Sequence, residues 1–318
     1  MKRYFNTTGY CRPEKHYMID PIRGIKDQID QLIENEQYFL IHAPRQTGKT
    51  TLLHSLTKLL NKEGNYICVS FSVERAGFKK IQHDTANYYM ISALYNAARV
   101  FLPECEHPVH FEQYKNKTLY DYLTDWCQSQ KKQVVVFCDE VDSLFDDIMI
   151  SLLRQLRDGF QYRPGFFPVS MALVGLRDIR DYKMKINEQD GALGSGSPFN
   201  IKAESFRLGS FTKEQIAALY QQHTDDTGQV FSNEVIDLVY DYTGGQPWLV
   251  NALANEIVTK ILKNDYTAEI TTEIVDIAKE NLIQRRDTHL DSLMDKLKED
   301  RVKNIVQSVI SGGITDSD

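Results

Sequence analysis

Two short clusters of residues in this chain are of types and spacings that handle phosphate. The first is APRQTGKTT at 43–51, which ends in Gly48, Lys49 and Thr50. These match the second half of the loop pattern G-x-x-x-x-G-K-[ST]. In that pattern backbone N–H groups and a helix N-terminus face the anion, the lysine meets the outer phosphates, and the hydroxyl reaches Mg2+. The second cluster is Asp139-Glu140, closing the apolar run VVVFC. An aspartate there suits a metal, and a glutamate beside it suits orienting and polarising an attacking water. Positioning and charge neutralisation are most of what phosphoryl transfer asks of a protein.

A bare G-K-[ST] is weak by itself, since it arises by chance in roughly one chain in six of this length. The first position of the pattern is also altered, with Ala43 where a glycine is usual. Alanine costs little there if its φ is negative and about 1–2 kcal/mol if positive. Pro44 follows it and favours an extended, negative-φ residue before it. The loop therefore reads as functional only if a buried strand precedes it and a helix follows.

The surrounding apolar pattern supplies both. YFLIHA (38–43) reads as a buried strand, and TTLLHSLTKLLNKEG (50–64) as a helix stopped by Gly64. YICVSFS (66–72), QVVVFCDEVD (133–142) and PVSMALVGL (168–176) read as further strands, with SLLRQLRDGF (151–160) as a helix. Strands apolar throughout, alternating with helices, predict an α/β fold with a parallel sheet covered on both faces. Between the second and third strands, 73–132 reads as a helical insertion with helices near 79–101 and 117–130. GALGSGSPFN (191–200) reads as a surface loop.

From about residue 208 the period is helical only. Thr212 with Gln215 forms a capping-box pattern, a second helix follows Ser232 and stops at Gly244-Gly245, a third starts at Pro247, and a fourth covers 272–284. The expected domains are thus an α/β domain over 1–206, a helical domain over 207–285, and a tail at 286–318 that could open a winged-helix unit.

Composition bounds the alternatives. Of 318 residues, 25% are charged and the net charge is −7, which argues against broad binding to a nucleic acid backbone. No apolar run reaches the ~20 residues of a membrane span, and the start MKRYFNTTGY lacks the apolar stretch of a secretory signal. The five cysteines form no C-x-x-C pair, which suits a reducing, cytoplasmic setting. Cys105, His107 and His110 lack a fourth ligand at zinc spacing and read as a plain loop. GTP is disfavoured, because both N-K pairs, at 61–62 and 116–117, are followed by Glu and Thr rather than by a base-reading x-D.

With both motifs in place, the chain resembles the AAA+-like P-loop ATPases of the signal-transduction ATPase (STAND) and archaeal/bacterial ATPase branch. The resemblance rests on APRQTGKTT (43–51), VVVFCDEVD (134–142), VGLRD (174–178) and TGGQPW (243–248), and it covers about residues 3–285. The opening RYFNTTGYCRPEKHYMIDPIRGI (3–25) also looks like that of bacterial AAA-like proteins. The resemblance implies a P-loop sheet domain followed by a helical lid, with ATP and Mg2+ as ligands. It places Ala43, Pro44, Arg45, Gln46, Thr47, Gly48, Lys49, Thr50 and Thr51 around the phosphates, Thr50 and Asp139 on the metal, and Glu140 with Lys49 in catalysis. Gly245-Gln246-Pro247 would bring a lid contact, with Pro247 touching the nucleotide. Tyr17 and Arg23 are adenine-side candidates, and Tyr17 otherwise reads as core packing. The fourth strand ends VGL where a polar sensor is usual, so the sensor position falls to Arg177, the nearest polar residue. Arg154, Arg157 and Arg163 are candidates for an arginine finger acting across a subunit boundary, and surface ion pairing is the plainer reading of each.

The expected function is a Mg2+-dependent ATPase acting as a nucleotide-controlled molecular switch. Two alternatives stay open: a DNA-transaction ATPase of the origin-recognition or transposition type, and an ATP-binding scaffold with little hydrolysis. Expected partners are ATP and ADP, with a homo-oligomer or another protein allowed and DNA disfavoured by the charge.

Overall fold

The computed structural model describes residues 2–22, 24–176 and 202–285. Arg23, Arg177, the segment 191–200 and the tail 286–318 lie outside the described residues. By their contacts the described residues form two units: one of Tyr10–Arg12 and Met18–Ser210, the other of the chain up to Gly9, Pro13–Tyr17 and everything from Phe211.

The first unit is a five-stranded sheet in the order β2-β3-β4-β1-β5. Its strands are β1 (Tyr38–His42), β2 (Tyr66–Ser72), β3 (Gln133–Asp139), β4 (Ser170–Gly175) and β5 (Lys202–Arg207), all pairing in parallel. Both faces are covered along β1 to β4, which suits the continuous apolar runs in those four strands. On one face Phe39, Ile41, Cys68, Val135, Phe137, Ala172 and Val174 pack with Leu52, Leu53 and Leu56 of α2 (Lys49–Glu63) and Ile29 and Ile33 of α1 (Lys26–Glu34). On the other, Leu40, Val69, Val136 and Leu173 pack against α3 (His83–Phe101), α4 (Leu119–Ser129) and α5 (Asp146–Phe160). The insertion is therefore a helical layer on the sheet.

The second unit contains α6 (Lys213–Thr227), α7 (Asn233–Thr243), α8 (Pro247–Asn255) and α9 (Thr272–Gln284). The capping box forms as expected: Thr212 Oγ1 accepts from Gln215 N at 3.3 Å, and Gln215 Oε1 accepts from Thr212 N at 3.1 Å. After Asn255 the chain continues into a π-helical stretch, Glu256–Ile261, where the buried Glu256 carboxylate meets Asn281 and Arg285. The sequence reading gave the first residues to the sheet domain. In the structure those up to Gly9 and Pro13–Tyr17 group with the helices instead. The cause is an aromatic cluster, in which Phe5 lies 4.8 Å from Tyr17 and 5.5 Å from Tyr220, centroid to centroid. Arg3 is tied to Asp226 at 2.9 Å, and Trp248 Nε1 donates to the Thr7 carbonyl at 2.9 Å.

Candidate nucleotide site

The sheet order sets the site. β4 lies between β1, which feeds the loop, and β3, which ends in Asp139. Register aligns their C-terminal ends, with His42 opposite Gly175 and Cys138 opposite Leu173. In open parallel sheets this end is where ligands bind.

The loop runs from Ala43 to Gly48 and enters α2 at Lys49. Ala43 is 1% exposed, its N–H donates to Gly175 O at 3.2 Å, and it is absent from the residues with positive φ. The alanine in place of the usual glycine is therefore unstrained. Gly48 has φ 92° and ψ 18°, a left-handed turn that needs glycine and that brings the first N–H groups of α2 to the loop. Gln46 also has a positive φ, 60°. Thr47 Oγ1 donates to Pro44 O at 2.8 Å and stiffens the turn.

Lys49 Nζ donates to the carbonyls of Ala43 and Pro44 at 2.8 and 2.9 Å. Burial pulls its pKa down, while the carboxylates of Asp139, Asp142 and Glu140 pull it up and Arg45 opposes them. Thr50 Oγ1 donates to Asp139 Oδ2 at 2.9 Å, so the loop and the third strand meet side chain to side chain. Asp139 is 5% exposed; its other oxygen accepts from Glu140 N at 2.9 Å. Burial raises its pKa, and the bonds from Thr50 and Glu140 N oppose the rise. Glu140 turns left-handed at φ 59° directly after the strand. Burial, then the carboxylates of Glu74 and Asp139, push its pKa up to about 7.

Three participants were not legible in the motifs. Glu74 follows β2, where Ser72 pairs with Asp139, and its carboxylate helps raise the Glu140 pKa. Asp142 accepts from Leu176 N at 3.1 Å and so fastens the end of β4 to the turn after β3. Cys11 N donates to Thr51 Oγ1 at 3.0 Å. None of the three carries a sequence signal, because strand neighbours bring in Glu74 and Asp142 and the path of the first residues brings in Cys11.

One ammonium faces Asp139, Glu140 and Asp142, with Glu74 beyond, and an excess of carboxylates over cations fits a divalent ion. Among the described residues no group of three or more His, Cys, Asp or Glu could hold a metal alone. Mg2+ keeps several waters and takes phosphate oxygens rather than a full protein cage. Thr50 and Asp139 supply the hard oxygen donors.

Each remaining candidate has its own place within its unit. Tyr17 is 1% exposed within the aromatic cluster of the helical unit, edge-on to His223 at 5.5 Å with Arg3 over its ring, a core position. Pro247 opens α8 in the same unit. Arg163 donates to Phe160 O at 2.7 Å and covers the Phe160 ring, so it is occupied within its own unit, while Arg154 and Arg157 are exposed on α5. His107 bonds Leu102 O at 3.0 Å and His110 accepts from Glu112 N, which places both in local turns. Among the described residues no helix is long and apolar enough to cross a membrane.

Residues 32–182 match the family model AAA_22, an AAA domain. Over 94% of its length the chain is similar in fold to the Walker-type ATPase paby2304 of Pyrococcus abyssi, with a TM-score of 0.66, 14% identity and 79% of that chain covered. It is also similar to the ORC2 protein of Aeropyrum pernix in ADPNP–ADP complexes, with a TM-score of 0.54, 14% identity, and 81% and 68% of the two chains covered. A WD repeat-containing protein of Synechocystis, slr0143, is 24% identical over 293 residues, 82% of this chain. The chain spans only 22% of that relative's length.

Proposed function

We propose that this chain, whose residues 32–182 match an AAA domain and whose fold is similar to that of a Walker-type ATPase, binds MgATP, hydrolyses it, and uses the nucleotide state as a switch. The observation that carries this reading is the 2.9 Å bond between Thr50 Oγ1 and Asp139 Oδ2. It joins the two clusters that sequence alone could only propose as partners.

Each residue then has a task. The left-handed turn at Gly48 aims the first N–H groups of α2 at the phosphates, where the helix dipole favours negative charge. Lys49 exchanges the carbonyls of Ala43 and Pro44 for the outer phosphate oxygens. Thr50 and Asp139 hold Mg2+, which when bound neutralises phosphate charge. Glu140, with an affinity for protons raised by its neighbours, orients the attacking water and accepts its proton.

Steady-state ATP turnover with Mg2+ should be measured for wild type, Lys49→Ala and Glu140→Gln. Wild-type turnover that both substitutions abolish supports the enzymatic reading. Equal rates in all three, or none in any, refute it; tight ATP binding without turnover would leave an ATP-binding scaffold.

A further inference from the structure

The first 17 residues group with the helical unit except at one place. Tyr10, Cys11 and Arg12 belong to the sheet unit, with Gly9 at φ 64° before them and Pro13 after. This tip is fastened to α2 at two points. Cys11 N donates to Thr51 Oγ1 at 3.0 Å, and the Tyr10 ring lies 4.1 Å from the His54 ring, tilted by 40°. Thr51 and His54 are three residues apart, so both fastenings lie on one face of the helix, one in its first turn and one in its second. His54 is in turn wedged edge-on against Phe101 of α3 at 5.1 Å, which gives the Tyr10 stack a fixed backing. Burial and Lys58 hold the imidazole pKa below its ordinary value, which favours the neutral ring in this stack.

The first fastening point, Thr51, directly follows the residues proposed to meet phosphate and metal. Lys49 points to the loop carbonyls, Thr50 to Asp139 and Thr51 to Cys11, three consecutive side chains with three different anchors. A threonine in a helix divides between two χ1 rotamers, because its hydroxyl can turn back to an earlier carbonyl. The Cys11 N–H selects one of them. The first-turn N–H groups have no partner inside the helix, so this turn frays unless something outside holds it.

We propose that the Tyr10–Arg12 tip is a positioning element of the nucleotide site: through Thr51 and His54 it holds the first turn of α2 in the geometry that receives the phosphates. Tyr10 and Cys11 act through the helix and are not catalytic. The inference rests on the nucleotide-binding reading of the loop.

Calorimetric titration of the full chain with MgATP and with magnesium tripolyphosphate tests it. Tyr10→Ala and Thr51→Val should each weaken both ligands by about 3- to 10-fold, the size of one neutral interaction, and Tyr10→Phe should keep wild-type affinity. Amide exchange at 49–53 should speed up in Tyr10→Ala while the ligand-free melting temperature matches that of Tyr10→Phe. Unchanged affinity in both Tyr10→Ala and Thr51→Val overturns the proposal. So does a Tyr10→Ala protein that loses ATP affinity but binds tripolyphosphate normally, because Tyr10 would then be touching the base. Failure of the wild type to bind either ligand overturns the nucleotide reading itself.

Discussion

The altered first position of the phosphate loop gives a paired test of how the loop works. Gly48 has φ 92°, and a Cβ added there would meet nothing within 4 Å. Gly48→Ala therefore carries no clash, and its whole effect is the left-handed backbone, worth about 1–2 kcal/mol for an L-residue. That cost must appear in one of two places. If the loop keeps its shape, stability falls by about 1–2 kcal/mol; if it relaxes, MgATP affinity falls by about 5- to 30-fold, and the two losses sum to the same range. Ala43 lacks a positive φ, so Ala43→Gly should leave affinity unchanged and lower stability by up to about 1 kcal/mol, by loosening the unfolded chain. Urea unfolding and calorimetric titration of both variants separate the terms. A Gly48→Ala protein with neither loss, or an Ala43→Gly protein that binds MgATP ten times more tightly, would show that the positions have been assigned the wrong roles.

Three further outcomes are expected. Glu140→Gln should lower ATP turnover by at least about 100-fold while ATP affinity, measured by titration, stays within a few-fold. Gly245→Ala places a Cβ 1.9 Å from the Phe211 carbonyl oxygen at φ 70°, whereas Gly244→Ala meets only the left-handed cost at φ 54°. Urea unfolding should show a loss of about 1–2 kcal/mol for Gly244→Ala and clearly more for Gly245→Ala; equal losses would contradict the close approach. His223 is 2% exposed among Phe5, Tyr17, Phe231 and Tyr266 and bonds Gln229 at 3.0 Å; burial first of all holds its pKa below 6.5. A histidine whose folded pKa is depressed stabilises fully above its unfolded value, and this stability is lost as pH falls through about 6.5. Thermal melts should show that acid-side loss in the wild type and a flatter pH profile in His223→Gln.

Most of the sheet was legible because four strands are continuous apolar runs, the mark of a strand buried on both faces. β5 was missed: it reads KAESFR, where charged and small residues alternate, as suits the sheet edge it occupies. α1 was missed as well, since Ile25 at its start makes no side-chain cap, and only the spacing of Ile29, Leu32 and Ile33 marks it. α5 starts at Asp146, five residues before the apolar period becomes evident. At the site, Gly48, Lys49, Thr50 and Asp139 could be read from local pattern. Glu74, Asp142 and Cys11 could not, because strand register and the path of the first residues bring them in.

That path has a practical consequence. The backbone passes from one unit to the other after Gly9, after Arg12, after Tyr17 and after Ser210. A single cut at 210 would not release two intact pieces. The amino-terminal piece would carry Phe5 and Tyr17 away from Tyr220 and His223, and the carboxy-terminal piece would keep a core with two of its aromatic rings gone. Dissecting the protein calls for a fusion of the opening residues to the chain beyond 210, with a short bridge replacing the tip at 10–12.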